Sequence, residues 1–201
     1  MPVIYLASAS PRRQELIRNL GINPKVVVSN FDEASLAHIK DPIVYMKAAA
    51  MGKAAAVANQ YQGVVIGVDT DVVCPDGHIL GKPQNAVDAA KMLRHLSGRT
   101  HSVHSAIVLV DSTVIPHRVC SEITTTHVTF ADIPDEQLNA YVSTGSPFDK
   151  AGGYGMQDQA MAFVASIDGD PSNVIGLPLV SLRRLLSSWN VSLFADSPSA
   201  E

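Results

Sequence analysis

Val3-Ile4-Tyr5-Leu6-Ala7-Ser8-Ala9-Ser10-Pro11-Arg12-Arg13-Gln14-Glu15-Leu16-Ile17 passes from a continuous apolar run to a helical stripe within one short stretch. Val3 to Leu6 reads as a short buried strand; Leu16, Ile17 and Leu20 mark one face of a helix that stops at Gly21. Ser10 is a good N-cap and Pro11 suits the first helical position, so the turn between them presents free backbone N–H groups. Those donors and the helix dipole attract negative charge, yet the first turn carries Arg12 and Arg13, where cations cost a few tenths of a kcal/mol each. An anion bound there would reverse that cost, and forked guanidinium groups match phosphate oxygens. Two readings stand at this point: a phosphate cradle, or an exposed basic helix start whose arginines pair with acids such as Glu15 or Asp32.

Working outward, the chain alternates strands and helices with a β-meander in its middle. Tyr45 to Tyr61 is alanine-rich and reads as a helix, followed by a buried strand, Val64 to Val68, that ends at Asp69. Pro75-Asp76-Gly77-His78 is a hairpin-type turn, and Ala86 to Leu96 a helix closed by Gly98. Ser102 to Val110, Val114 to Val119 and Ile123 to Phe130 read as three neighbouring antiparallel strands. Pro134 to Val142 is helical, Thr144 to Gly155 a glycine-rich loop, Ala160 to Ile167 a strand before a Gly169-Asp170-Pro171 turn, and Pro178 to Trp189 the last helix. The tail from Asp196 is expected to fray. This order predicts an α/β fold with a mixed sheet, not a simple parallel one.

The 201 residues fit one α/β domain or a two-lobed unit around a cleft, and with 46% hydrophobic and 17% charged residues the composition is that of a globular protein. A net charge of −4 with dispersed basic residues argues against a nucleic-acid polymer as partner and favours a small phosphorylated ligand. Cys74 and Cys120 lie far apart without metal-ligand spacing, which argues against a disulfide framework or a zinc site and for two buried thiols. No signal-like N-terminus and no run near the roughly 20 apolar residues of a membrane span is present, so the cytoplasm is the expected location.

Polar groups gather at the ends of the apolar elements, where α/β proteins place ligand-binding residues. Asp69 with Asp71, and Asp32 with Glu33, are carboxylates of the kind that hold magnesium together with substrate phosphates; taken singly, Asp69 is also a turn cap and Glu33 a solvated loop charge. Gly81-Lys82-Pro83 holds an ammonium between two rigidifying residues, suited to phosphate or simply to an exposed turn, and Lys53 in the alanine helix is equally ambiguous. Arg99, after Ser97-Gly98, is sufficiently explained by a helix C-terminus. Asp149 to Gln157 packs three glycines beside Gln157, which offers both donor and acceptor to a base edge; a recognition loop and a tight surface loop both fit. None of the seven histidines is arranged for nucleophile activation.

Taken together, Ser8-Ala9-Ser10-Pro11-Arg12-Arg13, Phe31-Asp32-Glu33, Gly67-Val68-Asp69-Thr70, Gly81-Lys82-Pro83, Leu96-Ser97-Gly98-Arg99-Thr100-His101, Asp149-Lys150-Ala151-Gly152-Gly153-Tyr154-Gly155 and Asn173-Val174-Ile175-Gly176-Leu177-Pro178-Leu179 resemble, in order and spacing, the Maf family of nucleoside triphosphate pyrophosphatases over roughly residues 3 to 187. The resemblance implies an elongated, two-lobed mixed β-sheet with flanking helices similar to inosine triphosphate pyrophosphatases, one domain over residues 1–201 with a central cleft, and a homodimer. It implies hydrolysis between the α and β phosphates of a nucleoside triphosphate with Mg2+ or Mn2+ as cofactor. By resemblance, Ser8, Ser10, Arg12 and Arg13 bind phosphates, Glu33 and Asp69 bind metal and activate water with Asp69 the candidate general base, and Lys53 and Lys82 contact the polyphosphate.

Asp149 to Gln157 resembles the subgroup acting on dTTP and UTP; the 7-methylguanosine triphosphate subgroup has a cysteine where Lys150 stands. Two positions depart from the family pattern: Asp71 stands where a small apolar residue is usual and Ser146 where a glutamate is common. A nucleotide-binding regulator of septum formation and a broader house-cleaning pyrophosphatase are the competing functional classes. The intact set of Glu33, Asp69 and Lys82 favours an enzyme, because binding alone does not require water-orienting carboxylates.

Overall fold

The computed structural model describes residues 2–191 and 193. Seven strands form one mixed sheet in the order β2-β1-β3-β5-β6-β7, with β4 paired to β3. Here β1 is Ile4–Leu6, β2 Lys25–Val26, β3 Val64–Val73, β4 Ile79–Leu80, β5 Thr100–Asp111, β6 Arg118–Phe130 and β7 Val164–Asp168. β1 pairs in parallel with β2 and β3, whereas β4 on β3 and β7 on β6 are antiparallel. The helices are α1 Pro11–Asn19, α2 Pro42–Ala58, α3 Ala86–Leu96, α4 Asp135–Ser143, α5 Pro171–Ile175 and α6 Leu179–Ser188.

Helix starts follow the local chemistry. Asp41 accepts from the amides of Ile43 and Val44 with Pro42 at the first helical position of α2, and Asn85 accepts from the Asp88 amide while Asp88 takes the Gln84 amide. Ser10 caps α1 through the amide of Arg13, with Leu16 and Ile17 buried as expected.

The described residues fall into two compact units, each with its own core. The first comprises residues up to Asp69, Ser105–Thr124 and the chain from Gly176; the second comprises Thr70–His104 and Thr125–Ile175. In the first, α2 lays Met46, Ala50, Ala54 and Val57 against Tyr5, Val65 and Val108. In the second, Leu93 and Leu96 of α3 and Leu138 of α4 pack with Phe130, Tyr154 and Phe163. β3, β5 and β6 contribute residues to both units.

Several boundaries differ from the sequence reading. β3 runs on to Val73, so Asp69 lies within a strand instead of at its end. The three-strand meander is two long strands: Ser112 to His117 form the connection, in which Asp111 Oδ1 accepts from the amide and hydroxyl of Thr113, and Pro116 has no N–H to give a ladder. The segment from Ala160 begins as a 3-10 turn, with β7 starting only at Val164, because Asp158 caps that turn through the Ala160 amide. Short 3-10 turns at Ser146–Asp149 and Ala151–Gly153 interrupt the expected loop. Cys74 is buried but Cys120 only half-buried. The tail from Asp196 lies outside the described residues, and no helix among them is long and apolar enough to cross a membrane.

Candidate active site

In the first unit Lys53 Nζ lies 2.6 Å from Asp69 Oδ1 and 3.1 Å from Glu33 Oε1. The sequence alone makes this meeting of three segments possible through two glycines. Gly67 lies two residues before Asp69 on the same face of β3, and a Cβ there would collide with the Ala50 carbonyl and come 2.8 Å from Ala54 Cβ. Only glycine lets α2 lie this close, which brings Lys53, one residue before Ala54, to Asp69. Gly52 serves the other partner: the Phe31 ring occupies the space its side chain would fill. Phe31 thereby ties the loop before Glu33 to α2, and Asp32 starts the following 3-10 turn by accepting from the Ala34 amide at 3.0 Å.

Asp69 is buried, and the Lys53 side chain is 16% exposed, so their pair is largely withdrawn from water; the Glu33 side chain is 46% exposed and faces solvent. Removal of Lys53 would take the ammonium from the buried Asp69 carboxylate, whereas Lys53 itself has a second partner in Glu33. Lys53 fixes one oxygen of Asp69.

Arg13 of the opening turn is held by backbone carbonyls. Arg13 donates from Nε to the Gly176 carbonyl at 2.8 Å, and from Nη1 to the Val68 carbonyl at 3.0 Å and the Ser8 hydroxyl at 3.2 Å. Burial lowers its pKa, Asp69 and Glu33 raise it and Arg12 lowers it, which sets all four charges within electrostatic reach of one another. Arg13 is thus built into the backbone next to Asp69. Ser8, itself buried, also accepts from the Ser10 amide at 3.3 Å, so its hydroxyl orients both the turn and the guanidinium. Arg12, Arg13 and Lys53 thus lie within electrostatic reach of the carboxylates of Glu33 and Asp69.

Lys82 and Gln157 belong to the second unit, and both are exposed. The Gly81 carbonyl accepts from the Gly152 amide at 3.0 Å, so the Gly81-Lys82-Pro83 segment and the glycine-rich segment are docked on each other. Gly152 has φ +69 and sits against Val72, a conformation and a contact that a side chain would strain.

Tyr154, in the middle of the presumed recognition stretch, is buried, and its hydroxyl is 2.6 Å from His101 Nε2. Both rings stand edge-on to Phe130. Burial pushes the His101 pKa down to about 4 and the Tyr154 pKa up, so the pair is neutral and structural. Ser146 donates to Asp158 Oδ2 at 2.7 Å, and Lys150 Nζ reaches Asp158 at 3.3 Å and Asp149 at 2.7 Å. Asp158 is therefore held by both Ser146 and Lys150. Gly52 and Asp158 were not singled out by the sequence reading, and Phe31 and Tyr154 stood in motifs without a role of their own; the isolated glycine within an alanine-rich helix was the available signal for Gly52.

The chain matches the family model described as Maf-like protein over residues 3–189. It is 43% identical over 195 residues to a dTTP/UTP pyrophosphatase of Moorella thermoacetica, covering 96% of this chain and 98% of that one. It is 41% identical over 192 residues to a dTTP/UTP pyrophosphatase of Clostridium novyi, with 94% and 99% covered. Among solved structures it resembles a HAM1 protein from Coxiella burnetii with a TM-score of 0.52 at 16% identity, over 96% of this chain and 100% of that one, a likeness of fold.

Proposed function

The chain belongs to the Maf-like protein family, and from that membership we propose that it is a dTTP/UTP pyrophosphatase, cleaving the α–β phosphoanhydride of thymidine and uridine triphosphates to monophosphate and pyrophosphate. The observation that carries the reading is the Glu33–Lys53–Asp69 cluster, two carboxylates held by one ammonium beside a basic helix start. Hydrolysis of a phosphoanhydride demands little covalent work from a protein; it demands cations for the developing charge and a carboxylate to orient water.

In this reading Asp69 takes the proton of the attacking water at the oxygen that Lys53 does not hold. Water adds to phosphorus, the α–β bridge breaks, and the bridging oxygen leaves with pyrophosphate. Lys53 holds both carboxylates in place. Arg12 and Arg13 supply positive charge to the triphosphate, Ser8 and Ser10 orient the turn that receives it, and Lys82 adds an ammonium to the polyphosphate. Gln157 is the proposed contact to the pyrimidine edge. Two carboxylates are a hard-oxygen donor set that suits Mg2+ or Mn2+, with water and substrate phosphates completing the shell. Glu33 and Asp69 would hold that ion, which supplies Lewis-acid neutralisation of the phosphate oxygens when bound. A homodimer working in the cytoplasm completes the proposal.

A panel of nucleoside triphosphates with Mg2+ or Mn2+ tests the specificity. The reading expects dTTP and UTP to be hydrolysed faster than purine triphosphates, and Gln157→Ala to erode that preference while pyrophosphate release persists. Equal turnover of all bases by the unaltered protein would contradict it.

A further inference from the structure

The turn after β3 and the last turn of α3 bring together Cys74, Asp76 and His95, whose Sγ, carboxylate oxygen and imidazole nitrogen all lie within 4.8 Å of one another. These residues lie in the second unit, and none takes part in the proposed hydrolysis. A thiolate, a carboxylate and an imidazole are the donor types of zinc sites with three protein ligands and an open position. Bond lengths of about 2.0–2.3 Å place the ligand atoms of a tetrahedral zinc about 3.3–3.8 Å apart. His95 Nε2 and Asp76 Oδ2 already stand 3.2 Å apart, so the cluster is near a coordination edge before any ion binds.

The donors are also oriented in advance. Asp76 Oδ1 accepts from the His78 amide at 3.0 Å, which turns the other oxygen, Oδ2, toward His95. Cys74 is fixed at both main-chain atoms: its amide donates to the His78 carbonyl at 2.8 Å and its carbonyl accepts from Gly77 at 2.9 Å. The spacing along the chain hides the arrangement, because His95 comes from a helix after an intervening strand, unlike the short Cys and His spacings of zinc fingers.

We infer that Cys74, Asp76 and His95 form a binding site for a borderline divalent transition metal such as Zn2+, with the fourth position left to water, separate from the Mg2+ or Mn2+ site proposed at Glu33 and Asp69. The thiolate selects against hard cations, so Mg2+ does not compete. Loss of the Cys74 proton to solvent accompanies binding. A bound ion ties the β3–β4 turn to α3, and β4 leads directly into Gly81-Lys82-Pro83, so it steadies the segment that displays Lys82.

Co2+ titration of the metal-free full-length protein tests this, because a thiolate-to-cobalt charge-transfer band reports a cysteine ligand that the carboxylate site cannot produce. The unaltered protein is expected to develop the band at one equivalent, to lose it on addition of Zn2+ and to keep it in excess Mg2+. Cys74→Ser should abolish it, His95→Ala, on a half-exposed helix position, should weaken Co2+ binding at least tenfold, and Cys120→Ser should leave it unchanged. Absence of the band in the unaltered protein, its retention at full affinity in His95→Ala, or its loss in Cys120→Ser would each overturn the site.

Discussion

At the scale of single residues, the chemistry depends on which charges are withdrawn from water and which face it. Asp69 and Lys53 are withdrawn together, so Asp69→Asn leaves Lys53 a remaining partner in Glu33 and should not unfold the chain. Loss of a general base typically costs about 10²–10⁴ in rate. Steady-state turnover of dTTP by Asp69→Asn should fall by that order while its circular dichroism spectrum is unchanged. His101 gives a second test. The unfolded chain takes up a proton at His101 near pH 6.5, but burial delays this in the folded chain to about pH 4. Stability therefore falls as pH drops through that window, by about 2–3 kcal/mol at one pH unit per 1.36 kcal/mol. Urea midpoints measured at pH 7 and near pH 4.5 should show that slope, and His101→Gln should flatten it; parallel profiles would refute the assignment. Residue types were readable in the sequence here, but not their partners. Arg12 and Arg13 were anomalous in a helix first turn, yet only the fold reveals that Arg13 grips the carbonyls of Val68 and Gly176. His101 and Tyr154 stood in separate motifs, and nothing local says that they touch.

At the scale of elements, the site exists because α2 can approach β3. Gly67→Ala would force a Cβ into the Ala50 carbonyl, and overpacking of this kind typically costs about 1–3 kcal/mol. The variant should unfold at lower urea concentration and lose dTTP turnover together, since a displaced α2 carries Lys53 away from Asp69. Retention of full turnover in a destabilised Gly67→Ala protein would show that the helix approach does not set the site. The longer helices were legible because caps and periodicity are local: Ser10 with Pro11 announces the start of α1, whereas α2 begins at Pro42, capped by Asp41, three residues before the expected Tyr45. The meander was misread where β-branched Val114 and Val119 flank Pro116, since β-propensity cannot tell a strand from the turn that joins two. Asp69 was placed at a strand end because Asp is a poor strand residue, yet pairing with β4 carries β3 on to Val73.

At the scale of the whole molecule, the chain carries two cores, and each should protect its own amides. Met46→Ala, in the first core, should raise hydrogen exchange in α2 and β1 more than in α3 and α4; uniform loss of protection would show a single cooperative unit. The mixed sheet was legible from the alternation of strands and helices, but where the chain divides between its two units was not, because β3, β5 and β6 each contribute residues to both. The central claim concerns the reaction that the Glu33–Lys53–Asp69 cluster supports. Phosphorus-31 NMR of dTTP incubated with the protein and Mg2+ tests it most directly: the account predicts dTMP and pyrophosphate as the first products in equal amounts, and dTDP with orthophosphate would contradict it.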